Sequence, residues 1–384
     1  MKRKICVVIT ARPSYSRIRS ALYAIEKHPK LELQLIISGS ALLSKYGSAI
    51  DFIVNDGFVP NAEVYHIVEG ETLLSSAKST GLAVIELSAE LSKLKPDAVI
   101  TIADRYETLA TAIAASYLNI PVVHVQGGEI TGSIDEKVRH AVTKLSDIHF
   151  VSTEEAQRRV ISLGENPDSV FWTGCPSIDL ARDVSQNPSI NFDPFEKYGG
   201  VGDSFDIDEP YLVVMQHPIT TEHSDSSTQI RSTLSAVMRL GIPAFWFWPN
   251  PDAGSEGVAK EIRVFREHNQ TTGINFVRNM SPEDFLKIAL RAKCIVGNSS
   301  VAIRECSYLG IPAVNIGTRQ NNRERGMNVI DSSYNENDIY TSVKSQMNTE
   351  LLNKDNLYGD GDAGEKMANI LSFCDLNINK TLLI

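Results

Sequence analysis

No apolar run in the sequence approaches the roughly 20 residues that span a bilayer, and MKRKICVVIT enters a strand too abruptly for a secretory signal. The expectation is a cytoplasmic protein with no membrane partner. Positive charge is also short, with 37 Lys and Arg against 47 Asp and Glu, a formal net charge of -10. A net acid is not drawn to nucleic acid or to an anionic membrane, so neither is expected as a partner, and any anionic ligand must be held by local donors. Cysteine is sparse: Cys6, Cys175, Cys294, Cys306 and Cys374 show no CxxC or Cys/His metal spacing, and several sit inside apolar runs. They read as reduced core residues, and no metal site is expected. Sequence repeats and low-complexity tracts are missing, which excludes a solenoid.

What remains is an ordinary globular composition, 42% hydrophobic and 22% charged, in a chain of 384 residues, long enough for two domains with a core each. Short β-rich runs alternate with amphipathic ones: KICVVIT, a helix from about Ser16, LELQLIIS, a helix over 72–95, DAVITIA, a helix over 105–118, IPVVHVQ, a helix over 135–145, IHFVS, a helix over 153–163, and SVFWTG. Uniformly apolar strands in this rhythm belong to a parallel sheet covered on both faces. Between about Val184 and Pro210 periodicity stops in a run rich in Pro, Gly, Asp and Asn. The alternation then resumes with YLVVMQH, PAFWFW, INFVR, KCIVG and IPAVNIG, and helices are expected near 228–240, 256–268, 282–291, up to Leu309, 335–347 and 362–373. The fold class is therefore α/β, with two Rossmann-like doubly wound domains over 1–185 and 210–365. A linker over 186–209 joins them, and a C-terminal segment over 366–384 packs back on the first. Ligands of open α/β sheets bind beyond the strand C-termini, which puts the expected site in a cleft between the domains.

Chemistry-bearing residues gather at those strand ends. In CIVGNSSVAIRE the strand ends at Val296, Gly297 permits a tight turn, and Asn298 or Ser299 can cap a helix whose first N–H groups are free for an anion; Ser299 and Ser300 add hydroxyl donors. The same residues also read as a plain N-cap. GTRQNNRERG carries Arg319, Arg323 and Arg325, either solvated or gathered on a shared anionic ligand. TARPSYSR offers Arg12, Ser14, Ser16 and Arg17 at the end of the opening strand. Asp104-Arg105 closes DAVITIA, His124 to Glu129 closes IPVVHVQ, and Asp135 to His140 opens the next helix. Carboxylates on neighbouring strand ends are costly to bury unless used or paired. Asp104 reads either as a helix cap or as a site acid, and Asp135 with Arg139 either as an i,i+4 ion pair or as site residues. His217, in MQHPITTE, is fixed by the following Pro where a strand meets its loop.

Taken together, TARPSYS, ADRYETLA, HVQGGEITGSIDEKVRHAVTKLSDIH, TGCPSID, MQHPITTE, WPNPDAGS, VGNSS, IGTRQNNRERG and YGDGDAG resemble the hydrolysing UDP-N-acetylglucosamine 2-epimerase family over nearly the whole chain. Those enzymes serve bacterial sialic and legionaminic acid synthesis and form the epimerase half of the animal bifunctional epimerase/kinase. The resemblance implies a glycosyltransferase-B type fold, a UDP-sugar substrate, a UDP product, no cofactor, and a homodimer or homotetramer. QHPIT stands where the non-hydrolysing branch carries HRREN. By resemblance Ser299 and Ser300 bind the diphosphate, Glu305 the ribose, and Arg12 and Arg319 the charge of the leaving nucleotide. Ser16, Arg105, Asn250 and Asn298 complete the substrate contacts. The catalytic set is expected among Asp104, Asp135, Glu129, His217, Gln126 and Arg139, with Asp104 and Asp135 moving protons.

Two positions depart from the family pattern. Many relatives carry Glu where this chain has Gln126, which cannot exchange a proton, so either Glu129 takes part or Gln126 binds sugar and the two aspartates suffice. RPSYS replaces RADYS, so Ser14 stands for an Asp. The rival readings are a non-hydrolysing epimerase, a retaining glycosyltransferase of the same fold and a non-catalytic nucleotide-sugar sensor.

Overall fold

The structure, a computed structural model, describes residues 2–70, 72–131, 134–249, 254–269, 273–350 and 352–381. The chain forms two compact units, one of Met1–Glu129, Ile134–Leu180 and Tyr358–Ile384, the other of Ile130–Ser133 and Ala181–Leu357.

The first unit holds a parallel seven-stranded sheet: β1 (Arg3–Ile9), β2 (Leu31–Ser38), β3 (Ala62–Val64), β4 (Ala98–Ile102), β5 (Val122–Val125), β6 (Ile148–Val151) and β7 (Val170–Trp172), in the order β3-β2-β1-β4-β5-β6-β7. Both sheet faces are buried, which explains the continuous apolar runs. Ile5, Val7, Ile9, Leu35 and Ile37 pack on one face with the helices Arg19–Lys27 and Ala363–Leu371, while Cys6, Val8, Ile36 and Val99 pack on the other with Leu73–Leu94 and Tyr106–Tyr117. The helix Ala363–Leu371 thus completes the first core, its first N–H groups bound by the Asp179 carboxylate at 3.0 and 2.8 Å.

The second unit repeats the plan with β8 (Val201–Gly202), β9 (Leu212–Met215), β10 (Ala244–Phe247), β11 (Ile274–Val277), β12 (Cys294–Gly297), β13 (Ala313–Ile316) and β14 (Val329–Ser332), in the order β14-β13-β12-β9-β10-β11-β8. All neighbours are parallel except β8, which runs antiparallel to β11. The stretch expected as a linker is folded into this unit. It carries the helix Pro194–Tyr198 and β8, Phe195 lies 5.2 Å from Phe245, and Tyr198 and Lys197 bind Asp284 at 2.5 and 2.6 Å. Periodicity was missing because single aromatic and charged anchors, not a repeating face, fasten it.

In each sheet the connections reverse direction once, between β1 and β4 in the first unit and between β9 and β12 in the second. A crevice opens beyond the strand ends at such a switch point. The chain leaves these strands through Thr10 to Arg12, Ala103 to Arg105, Gln216 to His217, and Asn298 to Ser300. Among the described residues no helix is long and apolar enough to cross a membrane, and no cluster of three or more His, Cys, Asp or Glu is arranged to hold a metal. All five cysteines are buried and unbridged.

Candidate active site

In the first unit the site is organised by Arg139. The helix Asp135–Leu145 begins with Asp135 and Glu136 and ends with Lys144, charges that suit its dipole. Its inner face buries Val138, Arg139, Val142 and Thr143. A buried guanidinium needs partners, and Arg139, 1% exposed, finds them on three segments: an ion pair with Asp104, a 2.9 Å bond to Glu136 and a 2.5 Å bond to the carbonyl of Glu129. Asp104 is therefore not a helix cap; the capping position of Tyr106–Tyr117 falls to Arg105, whose fork lies on Glu107 with both contacts at 3.2 Å. The Glu129 carboxylate accepts from Ser152 at 2.9 Å. Arg139 thus ties together Asp104, the Glu129 backbone and its own helix, which opens with half-buried Asp135.

The exits from β4 and β5 share an unusual feature. Ala103 and Gln126, the first residues past each strand, have φ of 66° and 70°. A non-glycine residue in the left-handed region costs about 1–2 kcal/mol. His124 braces this turn. Its Nε2 faces the Ala103 carbonyl at 2.9 Å, so that nitrogen carries the proton, and its Nδ1 accepts from the Thr143 hydroxyl at 3.1 Å. Burial pushes its pKa down to about 3, which keeps the ring neutral. After Gln126, Gly128 turns with φ 75°, where a side chain would lie 2.2 Å from the Ala156 carbonyl. Gln126 is 1% exposed, donates to the Cys175 sulfur at 3.0 Å and leaves its Oε1 buried without a hydrogen-bond partner.

Arg12 opens the five-residue helix Arg12–Ser16, and burial lowers its pKa to about 10. The Ser16 hydroxyl donates back to Pro13 at 3.0 Å. Buried Tyr15 holds the loop by donating to Asp56, which Arg19 also grips at 2.6 and 3.0 Å.

In the second unit the switch point is closed by a paired contact: Asn298 Oδ1 accepts the His217 N–H at 2.8 Å, and Asn298 Nδ2 donates to the His217 carbonyl at 2.8 Å. Asn298 is thereby a buried staple between the ends of β9 and β12, and of the two expected caps, Asn298 or Ser299, the capping role falls to Ser299. Gly297 is required by the close approach of β9, since at φ 134° a side chain would lie 2.1 Å from the Met215 carbonyl. The single helix expected after GNSS is interrupted. A 3₁₀ turn, Ser300–Ala302, capped by Ser299 through Val301 N–H at 3.5 Å, precedes a separate five-residue helix, Glu305–Leu309. Positive charge comes from a side chain instead: Arg304, 1% exposed, donates to the Ser300 hydroxyl at 3.4 Å. Glu305 keeps one carboxylate oxygen buried without a hydrogen-bond partner.

The arginine loop divides its labour. Arg319 and Gln320 both donate to the Asn298 carbonyl, at 3.1 and 2.9 Å. Arg323 donates to Gln320 Oε1 at 2.7 Å, and Arg325 donates to the Gln320 carbonyl at 2.6 Å and pairs with Asp331. Two of the three thus hold Gln320, and the third holds the Asn298 carbonyl beside it. Asn250 lies outside the described residues.

The sequence pattern of the UDP-N-acetylglucosamine 2-epimerase family matches residues 23–372. The chain belongs to that family. The Legionella pneumophila UDP-N,N'-diacetylbacillosamine 2-epimerase (hydrolyzing) is 31% identical over 378 residues, which cover 98% of this chain and 97% of that protein. The Campylobacter jejuni GDP/UDP-N,N'-diacetylbacillosamine 2-epimerase (hydrolyzing) is 31% identical over 340 residues, 88% of this chain and 86% of that one. The Methanocaldococcus jannaschii UDP-GlcNAc 2-epimerase, solved in complex with UDP-GlcNAc and UDP, superposes with a TM-score of 0.80 at 20% identity, covering 96% of this chain and 99% of that one. That similarity shows the fold, which is of the glycosyltransferase-B type.

Several residues that shape this epimerase-family site escape a reading of the sequence. Arg304 and Gln320 stand inside the quoted motifs but look like ordinary helix and loop residues. Glu222 is a third case: it accepts from Gln229 at 2.8 Å, from Tyr334 at 3.3 Å and from Thr318, which joins the His217 loop to the Arg319 loop. Its motif, HPITTE, was the available signal.

Proposed function

We propose that the chain is a hydrolysing UDP-sugar 2-epimerase. It converts a UDP-2-acetamido sugar of gluco configuration and water to the free manno-configured sugar and UDP. The observation that carries this reading is the grouping of Asp104 and Glu129 past the ends of β4 and β5, where the buried Arg139 guanidinium holds the Asp104 carboxylate and the Glu129 backbone and Ser152 holds the Glu129 carboxylate. QHPIT supports the hydrolysing branch.

The chemistry explains why acids are needed. The C2 hydrogen of the sugar is not acidic, because no carbonyl adjoins it, so inversion requires loss of UDP from C1. A carboxylate takes the C2 proton, the C1–O bond breaks, and its electron pair leaves with UDP, giving a 2-acetamidoglycal through an oxocarbenium-like state. Carboxylates stabilise that positive charge, while arginines and hydroxyl donors stabilise the diphosphate. Water then adds its oxygen at C1, and a proton reaches C2 from the opposite face. We assign the two proton transfers to Asp104 and Asp135, with Glu129 assisting in place of the acid that Gln126 does not supply. Arg139 orients Asp104, and Gln126 offers its free amide oxygen to the sugar. Ser299, Ser300, Arg12, Arg105, Arg319 and His217 serve the nucleotide, and Ser16 and Asn250 are assigned to the substrate as well. Glu305 accepts a ribose hydroxyl on its unsatisfied oxygen.

The substrate is UDP-N-acetylglucosamine or UDP-2,4-diacetamido-2,4,6-trideoxyglucose, and the names of the two hydrolysing relatives favour the second. The free 2-epimer would feed nonulosonic acid synthesis of the sialic or legionaminic type. The enzyme is expected in the cytoplasm as a homodimer or homotetramer. The test is UDP release from each sugar nucleotide without acceptor or metal. Release of UDP matched by free sugar supports the reading, and a UDP-sugar pool that epimerises but stays intact contradicts it.

A further inference from the structure

Over its described residues, 372–381, the stretch after the helix Ala363–Leu371 has no regular secondary structure, yet it is fastened at two points. Near its start Arg3 donates to the carbonyls of Leu371 and Cys374 at 2.9 and 2.7 Å. At Lys380 the ammonium donates to the carbonyls of Thr143 and Ser146 at 3.1 and 2.5 Å and pairs with Glu165 at 2.5 Å. Those carbonyls lie at the C-terminal end of the helix Asp135–Leu145, where carbonyl groups lack helical partners and a cation is favoured. Glu165 is itself buried and holds the same helix a second time through Lys144 at 2.6 Å, while its other contact, at 3.1 Å, is His149 on β6.

From this clamp an unbroken series of contacts leads to the proposed acids. Thr143, whose carbonyl Lys380 binds, gives its hydroxyl to His124, and His124 binds the carbonyl of Ala103, the residue before Asp104. Asp104 returns to the helix through Arg139. The helix is therefore fixed against β4 at two levels, and its far end is fixed by the C-terminal stretch. A helix that slid or tilted by a fraction of a turn would move Asp135 and Arg139 together relative to Asp104.

We propose that Lys380 is a positioning residue: with Glu165 it straps the helix Asp135–Leu145 in the register that sets Asp135 and Arg139 against Asp104. This rests on the reading of those residues as the acid/base group. A misplacement of about 1 Å at reacting groups can cost up to about a hundredfold in rate, whereas the residues assigned to UDP in the second unit lie on other elements than the strapped helix.

The test compares Lys380→Met, Lys380→Arg and Glu165→Gln in the full chain, by steady-state turnover, UDP affinity and amide hydrogen exchange over 135–147. Lys380→Met should lower kcat about tenfold or more, leave the Kd for UDP within about twofold, and speed exchange over the helix. Lys380→Arg should restore most of both, and Glu165→Gln should fall between. Faster exchange without any fall in kcat overturns the positioning role, and unchanged exchange overturns the strap itself. Should Lys380→Met not fold, the graded pair Lys380→Arg and Glu165→Gln carries the same comparison. If the wild-type chain released no UDP from any sugar nucleotide, the functional reading would fail, while the exchange measurement would still decide the strap.

Discussion

Arg139 and Asp104, 35 residues apart in sequence, form a buried ion pair that joins the helix Asp135–Leu145 to the end of β4. Asp104→Asn and Asp135→Asn are each expected to lower turnover by about 10²- to 10⁴-fold, the range lost with a general acid or base. UDP affinity, measured by calorimetry, should stay close to wild type. Arg139→Met should lower turnover too and, by stranding a buried carboxylate, destabilise the fold by about 3–5 kcal/mol. Wild-type turnover in both aspartate variants would overturn the acid/base assignment.

Asn298→Ala removes two 2.8 Å bonds to the His217 backbone and leaves a buried N–H and carbonyl without them. The expected loss is about 2 kcal/mol or more of stability, at about 1–3 kcal/mol for each stranded group, with weaker UDP binding because the Asn298 side chain holds His217 in place. Urea unfolding and UDP titration would measure the two effects. No change in either would show that the staple is dispensable.

Glu222→Ala frees Thr318 and so loosens the Arg319 loop from the His217 loop. About a tenfold rise in the Kd for UDP is expected, the worth of one charge-assisted hydrogen bond. Ser300→Ala should weaken UDP similarly, by loss of a direct donor. Unaltered affinity in Ser300→Ala would end the phosphate assignment of the GNSS segment.

The β-α rhythm was legible because the inner strands are buried on both faces and the long helices on one, so hydrophobic period separates them. The helix 135–145 was read with its true ends, since Asp and Glu open it and Lys stands in its last turn. What could not be read are relations between distant segments. A helix ladder and an i,i+4 pair are local, but Asp104 with Arg139 and Asn298 with His217 depend on which strands become neighbours. The break after Ser300 was hidden for a different reason: VAIRECSYL has helical periodicity throughout, and the short-range bonds of Ser299 to Val301 and of Arg304 to Ser300 that accompany the break leave no mark on that period. The 186–209 segment was missed as folded structure because aromatic anchoring has no period.

Stability should fall on mild acidification. Burial holds His124 and His149 below the ordinary histidine pKa. The unfolded chain therefore takes up protons below about pH 6.5 that the folded chain refuses, and stability drops by up to about 1.4 kcal/mol per pH unit for each group. For His124 the loss runs down to about pH 3, where its folded form also protonates. Glu165 acts lower: its hydrogen bonds to His149, Lys144 and Lys380 outweigh the opposing effect of burial, the largest single influence, and hold it at about 2. Its contribution is full above the unfolded carboxylate value and is lost as pH falls from there towards 2. Urea unfolding from pH 8 to pH 4 should show a plateau above about 7 and a steady decline beneath it. A flat profile to pH 5 would contradict neutral burial of these histidines.

The central claim is hydrolytic inversion at C2 through loss of UDP. It is tested most directly by proton NMR of the purified chain in heavy water, given UDP-N-acetylglucosamine and its 2,4-diacetamido-trideoxy counterpart separately, with no acceptor or metal. The expected result is free manno-configured sugar carrying deuterium at C2, formed together with UDP from one of the two. Deuterium entering a UDP-sugar that remains intact, or no reaction with either compound, would contradict it.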